Sequence, residues 1–414
     1  MEKRLIRIGD TRISEVCKHE IKEILDSNAL SEGMWVSRLE KKFAEIMEVP
    51  YCILLNSGTS ALIASLLACR YLDEKQFNRK TESELPYVIT NALSFISDPN
   101  AIRIAGFEPI FVDTDLDTFG MDYDKLKDIG DRYKNQVFAY LPVHLMGYAT
   151  PQTRNYSGIG YSDAFIIEDA CEALGTKVDG QYVGSLGDVG CVSFYICHHI
   201  AAGEMGAIVT RNEEIYKLIQ KIKAHGRICN CQYGVDRAKS CPHYIDAYQY
   251  GFSKEDDIDT RYFHDLVGYN FKTTEINACL AYDYINTIDD IRFFRQINFQ
   301  SIRNWLKEFE EFFILPKVNL DTSYFGFPII IKELAPFSRK EIRTFLESNG
   351  IETRPIFMSF NKFPQFKNCI TTDLTNADMV SKYGFYIGCH QYLSKEDIEY
   401  IYLIFKQFHG KHKN

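Results

Sequence analysis

The chain lacks an excess of basic residues, any long apolar run, and any lysine between Lys177 and Lys217. Its 47 Lys and Arg against 56 Asp and Glu leave a net charge of −9 over 414 residues, which argues against a nucleic-acid partner. No run approaches the ~18 apolar residues of a membrane span. The opening stretch, Met1-Glu-Lys-Arg-Leu-Ile-Arg7, carries charges where a signal peptide needs an apolar core. A cytoplasmic protein, off the membrane, is therefore expected. In a reducing compartment a disulfide framework is not expected, so most of the 12 cysteines read as small buried hydrophobes. Internal repeats and low-complexity segments are absent as well.

What is present is alternation. Apolar runs at 51–55, 86–90, 108–113, 137–143 and 164–171 read as strands, and helical spacing at 13–30, 37–47, 61–70 and 98–105 separates or precedes them. That interval predicts a mostly parallel α/β sheet. The first strand runs into Asn56-Ser-Gly-Thr-Ser-Ala61 and a helix. Free N–H groups, hydroxyls and the positive helix end there suit a phosphate, although Ser and Thr also simply cap helices. The strand at 164–171 is apolar and then abruptly acidic at Glu168-Asp169, where an acid can be an ion-pair partner, a cap or a catalytic group. Ligands of open α/β sheets sit at such strand ends.

The densest stretch is Gly190-Cys-Val-Ser-Phe-Tyr-Ile-Cys-His-His-Ile-Ala-Ala-Gly-Glu-Met-Gly206. It reads as a strand over 192–197, an exposed loop, and a second strand over 207–210. Neighbouring residues on a strand point to opposite sides, so His198 and His199 are poorly placed to share one metal. The stretch resembles the cofactor loop of the DegT/DnrJ/EryC1/StrS sugar aminotransferases, where Ser-Phe-x-x-x-Lys supplies the lysine that holds pyridoxal phosphate (PLP). Ser193-Phe-Tyr-Ile-Cys-His198 puts a histidine in the lysine's place, as in the family's branch of sugar 3-dehydratases that use pyridoxamine phosphate (PMP).

The resemblance covers essentially the whole chain and implies a fold-type I PLP-dependent aminotransferase architecture, like aspartate aminotransferase. A large cofactor-binding domain over 1–287, with a cysteine-rich insertion at about 226–262, would precede a smaller C-terminal α+β domain over 288–414. It further implies that Ser57, Gly58 and Thr59 hold the cofactor phosphate, that Phe95 stacks on the pyridine ring, and that Asp169 pairs with the ring nitrogen. Glu172 and Ser193 would complete the cofactor site. Asn270, in Gly268-Tyr-Asn270, would reach a neighbour's cofactor across a homodimer. His198 would act as the base, with Glu204 matching an acid of the family's loop and His199 as a packed or supporting neighbour, or a substrate contact. Met205 departs from the family's second glycine. Arg354, in Ile351-Glu-Thr-Arg-Pro355, is a candidate contact for the substrate, a nucleotide-diphosphate 4-keto-6-deoxy sugar.

Four cysteines open a fork. Cys171 and Cys229 are separated by 57 residues, Cys229 and Cys231 by one, and Cys231 and Cys241 by nine. The first spacings are similar to the ligands of the iron–sulfur CDP-6-deoxy-L-threo-D-glycero-4-hexulose-3-dehydrases, and the last is two residues longer. Four thiolates suit a [2Fe–2S] cluster or zinc equally by ligand type. The resemblance to that branch implies an NAD(P)H-dependent flavin or iron–sulfur reductase as partner and CDP as the nucleotide, and Cys171, two residues from Asp169, would put the cluster near the pyridine ring. The alternatives are a cluster-free dehydratase of the GDP-4-keto-6-deoxymannose kind, an aminotransferase whose lysine comes from elsewhere, and a non-catalytic homologue.

Overall fold

The computed structural model describes residues 4–78, 81–150, 164–228, 251 and 262–412. In chain order its first strands are β1 (Tyr51–Leu55), β2 (Tyr87–Asn91), β3 (Glu108–Val112), β4 (Val137–Leu141) and β5 (Phe165–Asp169). They are followed by β6 (Lys177–Val178), β7 (Gln181–Tyr182), β8 (Val189–Ser193) and β9 (Gly206–Thr210). The C-terminal part adds β10 (Phe313–Ile314), β11 (Phe327–Ile331), β12 (Thr353–Pro355), β13 (Ile370–Thr371) and β14 (Gly384–Ile387).

Among the described residues, an eight-stranded sheet runs in the order β1-β9-β8-β5-β4-β2-β3-β13. Every neighbouring pair from β8 to β13 is parallel, and β9 runs antiparallel to both β8 and β1. The strands read as unbroken apolar runs because both faces are covered. In β1, Ile53 and Leu55 belong to one core while Cys52 and Leu54 belong to the other.

Helices α1 (Glu15–Ser27) and α2 (Met34–Ile46) lie on one side with the helix Glu275–Tyr284. Helix α3 (Gly58–Phe77) is buried on nearly every side, which its all-round apolar composition requires. After α4 (Thr81–Glu84) come α5 (Ser97–Ile104), α6 (Tyr123–Tyr133) and α7 (Glu213–Ile222), and α3 packs against α5 and α7. Helix α2 starts at Gly33 with no side-chain cap of its own. The Glu275 carboxylate substitutes, accepting the N–H groups of Gly33, Trp35 and Val36 at 2.8, 2.9 and 3.0 Å.

Two sequence expectations change. The strand over 192–197 stops at Ser193, because its partner β9 begins at Gly206 and the ladder has nothing to pair with beyond Ser193↔Gly206. Phe194 and Met205 still close the loop, Phe194 N–H donating to Met205 O at 2.8 Å. The C-terminal part is also not wholly separate. Strands β10, β11, β14 and β12 form their own antiparallel sheet, yet β13 returns to the edge of the large sheet beside β3, and Ile6 bridges Ile351.

Candidate active site

The C-terminal ends of the parallel strands β1, β2, β4, β5 and β8 converge on a cavity of about 550 Å³. β1 delivers Ser57, Gly58 and Thr59 at the N-terminus of α3; β2 leads to Phe95, β4 to Val143 and Leu145, β5 ends at Asp169, and β8 ends at Ser193. All of these line the cavity, as do Cys171, Glu172, His198, Glu204 and Arg354. No lysine lines it among the described residues.

The α3 end is shaped for close approach. A Cβ on Gly58 would stand 2.9 Å from Cys171 Sγ and 3.0 Å from Ser193 Cβ, and one on Gly206 would stand 2.3 Å from Ser57 O. Ser57 also serves as the N-cap of α3, its Oγ accepting Ser60 N–H at 3.0 Å. Phe95 is no core residue: it is 55% exposed, with its ring edge-on to Phe357 at 5.9 Å. Asp169 is 5% exposed and accepts Cys171 N–H at 2.8 Å through Oδ1. Behind it, Glu168 is fully buried and accepts His144 together with the N–H groups of Gly184, Leu186 and Gly187, which hold its pKa down. Thr150 N–H donates to His144 Nδ1 at 3.1 Å, so His144 carries its proton on Nε2, toward Glu168.

His198 is the site's polar centre. Its Nδ1 lies 2.6 Å from Cys171 O, and a carbonyl can only accept, so Nδ1 carries the hydrogen and Nε2 keeps the lone pair. The ring stands edge-on to Phe325 at 5.2 Å. Burial pushes its pKa down from the ordinary imidazole value to about 4. Glu172 moves the other way, burial and the Asp169 charge pushing it up to about 8 while it accepts Met146 N–H at 2.9 Å.

Several expected residues stand elsewhere. His199 does not line the cavity; it is 2% exposed and its Nε2 donates to Ser323 O at 2.9 Å, the packed one of its expected placements. Asn270 is exposed and outside the cavity. Met205, in place of the family's glycine, is 1% exposed in the core beside Phe194. Arg354 lines the cavity from β12 and pairs with Glu352. Of the four cysteines only Cys171 is described, and Cys229, Cys231 and Cys241 lie outside the described residues. Burial and Asp169 raise the Cys171 thiol well above its ordinary value, and a metal there would have to displace its proton. No group of three or more His, Cys, Asp or Glu side chains suited to a metal occurs among the described residues. Sequence reasoning missed Asp98, Tyr195, Phe357 and Tyr386, which also line the cavity; each comes from a separate element, so no local pattern marks them.

The sequence profile of the DegT/DnrJ/EryC1/StrS aminotransferase family matches residues 11–406. The chain belongs to this family. Among its relatives, the lipopolysaccharide biosynthesis protein RfbH of Salmonella typhimurium is 31% identical over 92% of this chain and 86% of its own length. The dTDP-4-dehydro-2,6-dideoxy-D-glucose 3-dehydratase of Saccharopolyspora spinosa is 31% identical over 92% of this chain and 82% of its own. The structure of the E coli GDP-4-keto-6-deoxy-D-mannose-3-dehydratase with bound hydrated PLP superposes with a TM-score of 0.83 at 25% identity, covering 97% of this chain and 100% of that one. The family's fold-type I architecture, with its mostly parallel large sheet, is thus the fold of this chain.

Proposed function

We propose that the protein is a PMP-dependent dehydratase that removes the C3 hydroxyl of a nucleotide-linked 4-keto-6-deoxyhexose. One observation carries the reading: the family's lysine position holds His198, its Nε2 lone pair left for the cavity, in a site with no lysine among its described lining residues. The names of relatives that are 3-dehydratases support it.

The residues fit the cofactor. Ser57, Gly58 and Thr59 would take its phosphate at the α3 N-terminus, Asp169 its ring nitrogen, and Phe95 the ring face, with Ser193 beside them. When bound, PMP supplies an amine that condenses with the 4-keto carbon and a ring that accepts an electron pair. His198 Nε2, unprotonated above about pH 4, takes the proton from the carbon next to that amine, while Nδ1–H stays anchored on Cys171 O. The C3 hydroxyl needs a proton to leave as water, and Glu172, neutral below about pH 8, can supply it. Arg354, which lines the cavity from β12, suits the pyrophosphate of the substrate. Asn270, exposed and away from its own cavity, suits a contact with the cofactor of a second copy.

The substrate's nucleotide is left as a nucleoside diphosphate: the relatives' names carry dTDP and GDP, and nothing among them supports the CDP expected from the cysteine pattern. The names favour the dehydratase without a cluster. A [2Fe–2S] centre with a reductase partner is a second reading, favoured by one feature, the Cys171 thiol in the cavity wall two residues from Asp169.

The test is His198→Asn with purified protein, PMP and a GDP- or dTDP-linked 4-keto-6-deoxyhexose. PMP binding is expected to persist while turnover falls by roughly 10²–10⁴-fold, the range for a lost general base. Retained turnover would move the base to another cavity group.

A further inference from the structure

Tyr386 has no part in the chemistry above, yet it lines the same cavity. It stands in β14, between β11 and β12, paired with Pro328 on one side and Arg354 on the other. Side chains alternate along a strand, so the fully buried Phe385 and Ile387 turn away from the cavity and Tyr386 turns into it. Directly paired residues stand on one face with their Cβ atoms roughly 5 Å apart, which puts the phenol beside Arg354. The ring has a close-fitting seat. A Cβ on Gly326 would stand 2.7 Å from Tyr386 Cδ2, and the Phe325 ring packs against it at 6.0 Å between centroids. Phe325 is itself fixed, its N–H donating to Met146 O at 3.1 Å and its carbonyl accepting Arg295 Nη1 at 3.1 Å. Tyr386 is 7% exposed, and its hydroxyl makes no hydrogen bond among the described residues. The hydroxyl is not sealed in the core either, so it opens on the cavity. A buried ring in a fixed seat, with an idle hydroxyl at the wall of a cavity, suits a ligand contact.

Its place in the wall indicates which part of the ligand it meets. Phe325 touches both His198, at 5.2 Å between centroids, and Tyr386. Arg354 follows across the strand pair, and its side chain is more open, at 53% exposure. The wall thus runs from the base through Phe325 and Tyr386 to the arginine. A nucleotide sugar has the same order: C3 and C4 react, the rest of the pyranose ring follows, and the pyrophosphate hangs from C1. We infer that Tyr386 is a substrate-binding residue whose hydroxyl hydrogen-bonds the hexose between its reacting carbons and the pyrophosphate, an assignment that rests on the function proposed above. The oxygens on that stretch are the ring oxygen and, in sugars that keep it, the C2 hydroxyl, and a phenol can donate to either. Ile8 and Phe357, also in the wall, have no polar side-chain group to offer the sugar.

The experiment compares the wild-type chain with Tyr386→Phe, which keeps the ring in its seat and removes only the hydroxyl. On whichever GDP- or dTDP-linked 4-keto-6-deoxyhexose the wild type turns over, KM should rise about 3- to 10-fold, the range for one neutral hydrogen bond, and by more than kcat falls. Inhibition by the matching nucleoside diphosphate alone, and the titration with PMP, should keep their wild-type constants. Arg354→Met, by contrast, should weaken the sugar nucleotide and the nucleoside diphosphate together. The Tm of Tyr386→Phe should equal that of wild type, because the hydroxyl has no partner in the protein to lose among the described residues. An unchanged KM would overturn the inference. So would a nucleoside diphosphate or PMP weakened as much as the sugar nucleotide, since the hydroxyl would then hold the phosphates or merely shape the cavity. A lowered Tm would overturn it too, as the mark of a hydrogen bond within the protein. A wild type that turns over neither sugar nucleotide would overturn the function proposed above and this inference with it, whereas turnover that Tyr386→Phe leaves untouched sinks the inference alone.

Discussion

Replacing Glu172 by Gln should stabilise the protein in a pH-dependent way. The carboxyl is buried in the cavity wall, and burial, aided by the Asp169 charge and opposed by the Met146 N–H, raises its pKa from 4.5 to about 8. The sign follows from the raised folded-state value: between 4.5 and about 8 the folded state keeps the proton that the unfolded state has released. Stability contributed by this group is therefore complete below pH 4.5 and is lost as pH rises toward about 8. At pH 7 the elapsed window is 7 − 4.5 = 2.5 units, which at about 1.36 kcal/mol per unit is roughly 3 kcal/mol. Gln is close to the neutral acid in shape, and its carbonyl can still accept Met146 N–H, so the variant escapes this loss. Urea unfolding of the cofactor-free wild type and Glu172→Gln should give nearly equal stabilities at about pH 5 and a gap of roughly 3 kcal/mol at about pH 7. A gap that does not change with pH would refute the claim that folded Glu172 is neutral. Turnover of the same variant should fall, since an amide cannot supply the proton that the leaving hydroxyl needs.

The remaining predictions concern other parts of the site. Because burial lowers His198 to about 4, the acid limb of the kcat/KM profile should lie near pH 4, and a limb near 6.5 would mean that the ring is solvated in the working enzyme. Gly147→Ala should lower the Tm, since Gly147 has φ +92° and its Cβ would stand 2.2 Å from Ser323 O; the strained backbone alone costs roughly 1–3 kcal/mol. An unchanged Tm would mean that the Ser323–Phe325 segment does not pack closely against Gly147. Iron and acid-labile sulfide, assayed on protein purified without oxygen, decide between the two readings of the cysteines. About two of each per chain, lost in Cys229→Ser, would establish the cluster, and neither would leave the cluster-free dehydratase.

Much of the site could be read along the chain because each piece is local. Ser57-Gly58-Thr59 at a strand–helix junction, an acid at the end of an apolar strand, and a histidine six positions into a Ser-Phe run are patterns a few residues long, and the structure brings them to one cavity. The alternating strands and helices likewise settled the parallel sheet, since β-branched and apolar runs buried on both faces have few other places to go. The tertiary structure alone decided the protonation states. His198 and Glu172 are shifted in opposite senses by burial that no spacing reveals, and His198 takes its tautomer from a carbonyl at Cys171, 27 positions away. It alone turned His199 toward Ser323, 124 positions away. Desolvation and charge pairing depend on distance through space, and the chain's order carries that distance only where the partners are neighbours in sequence.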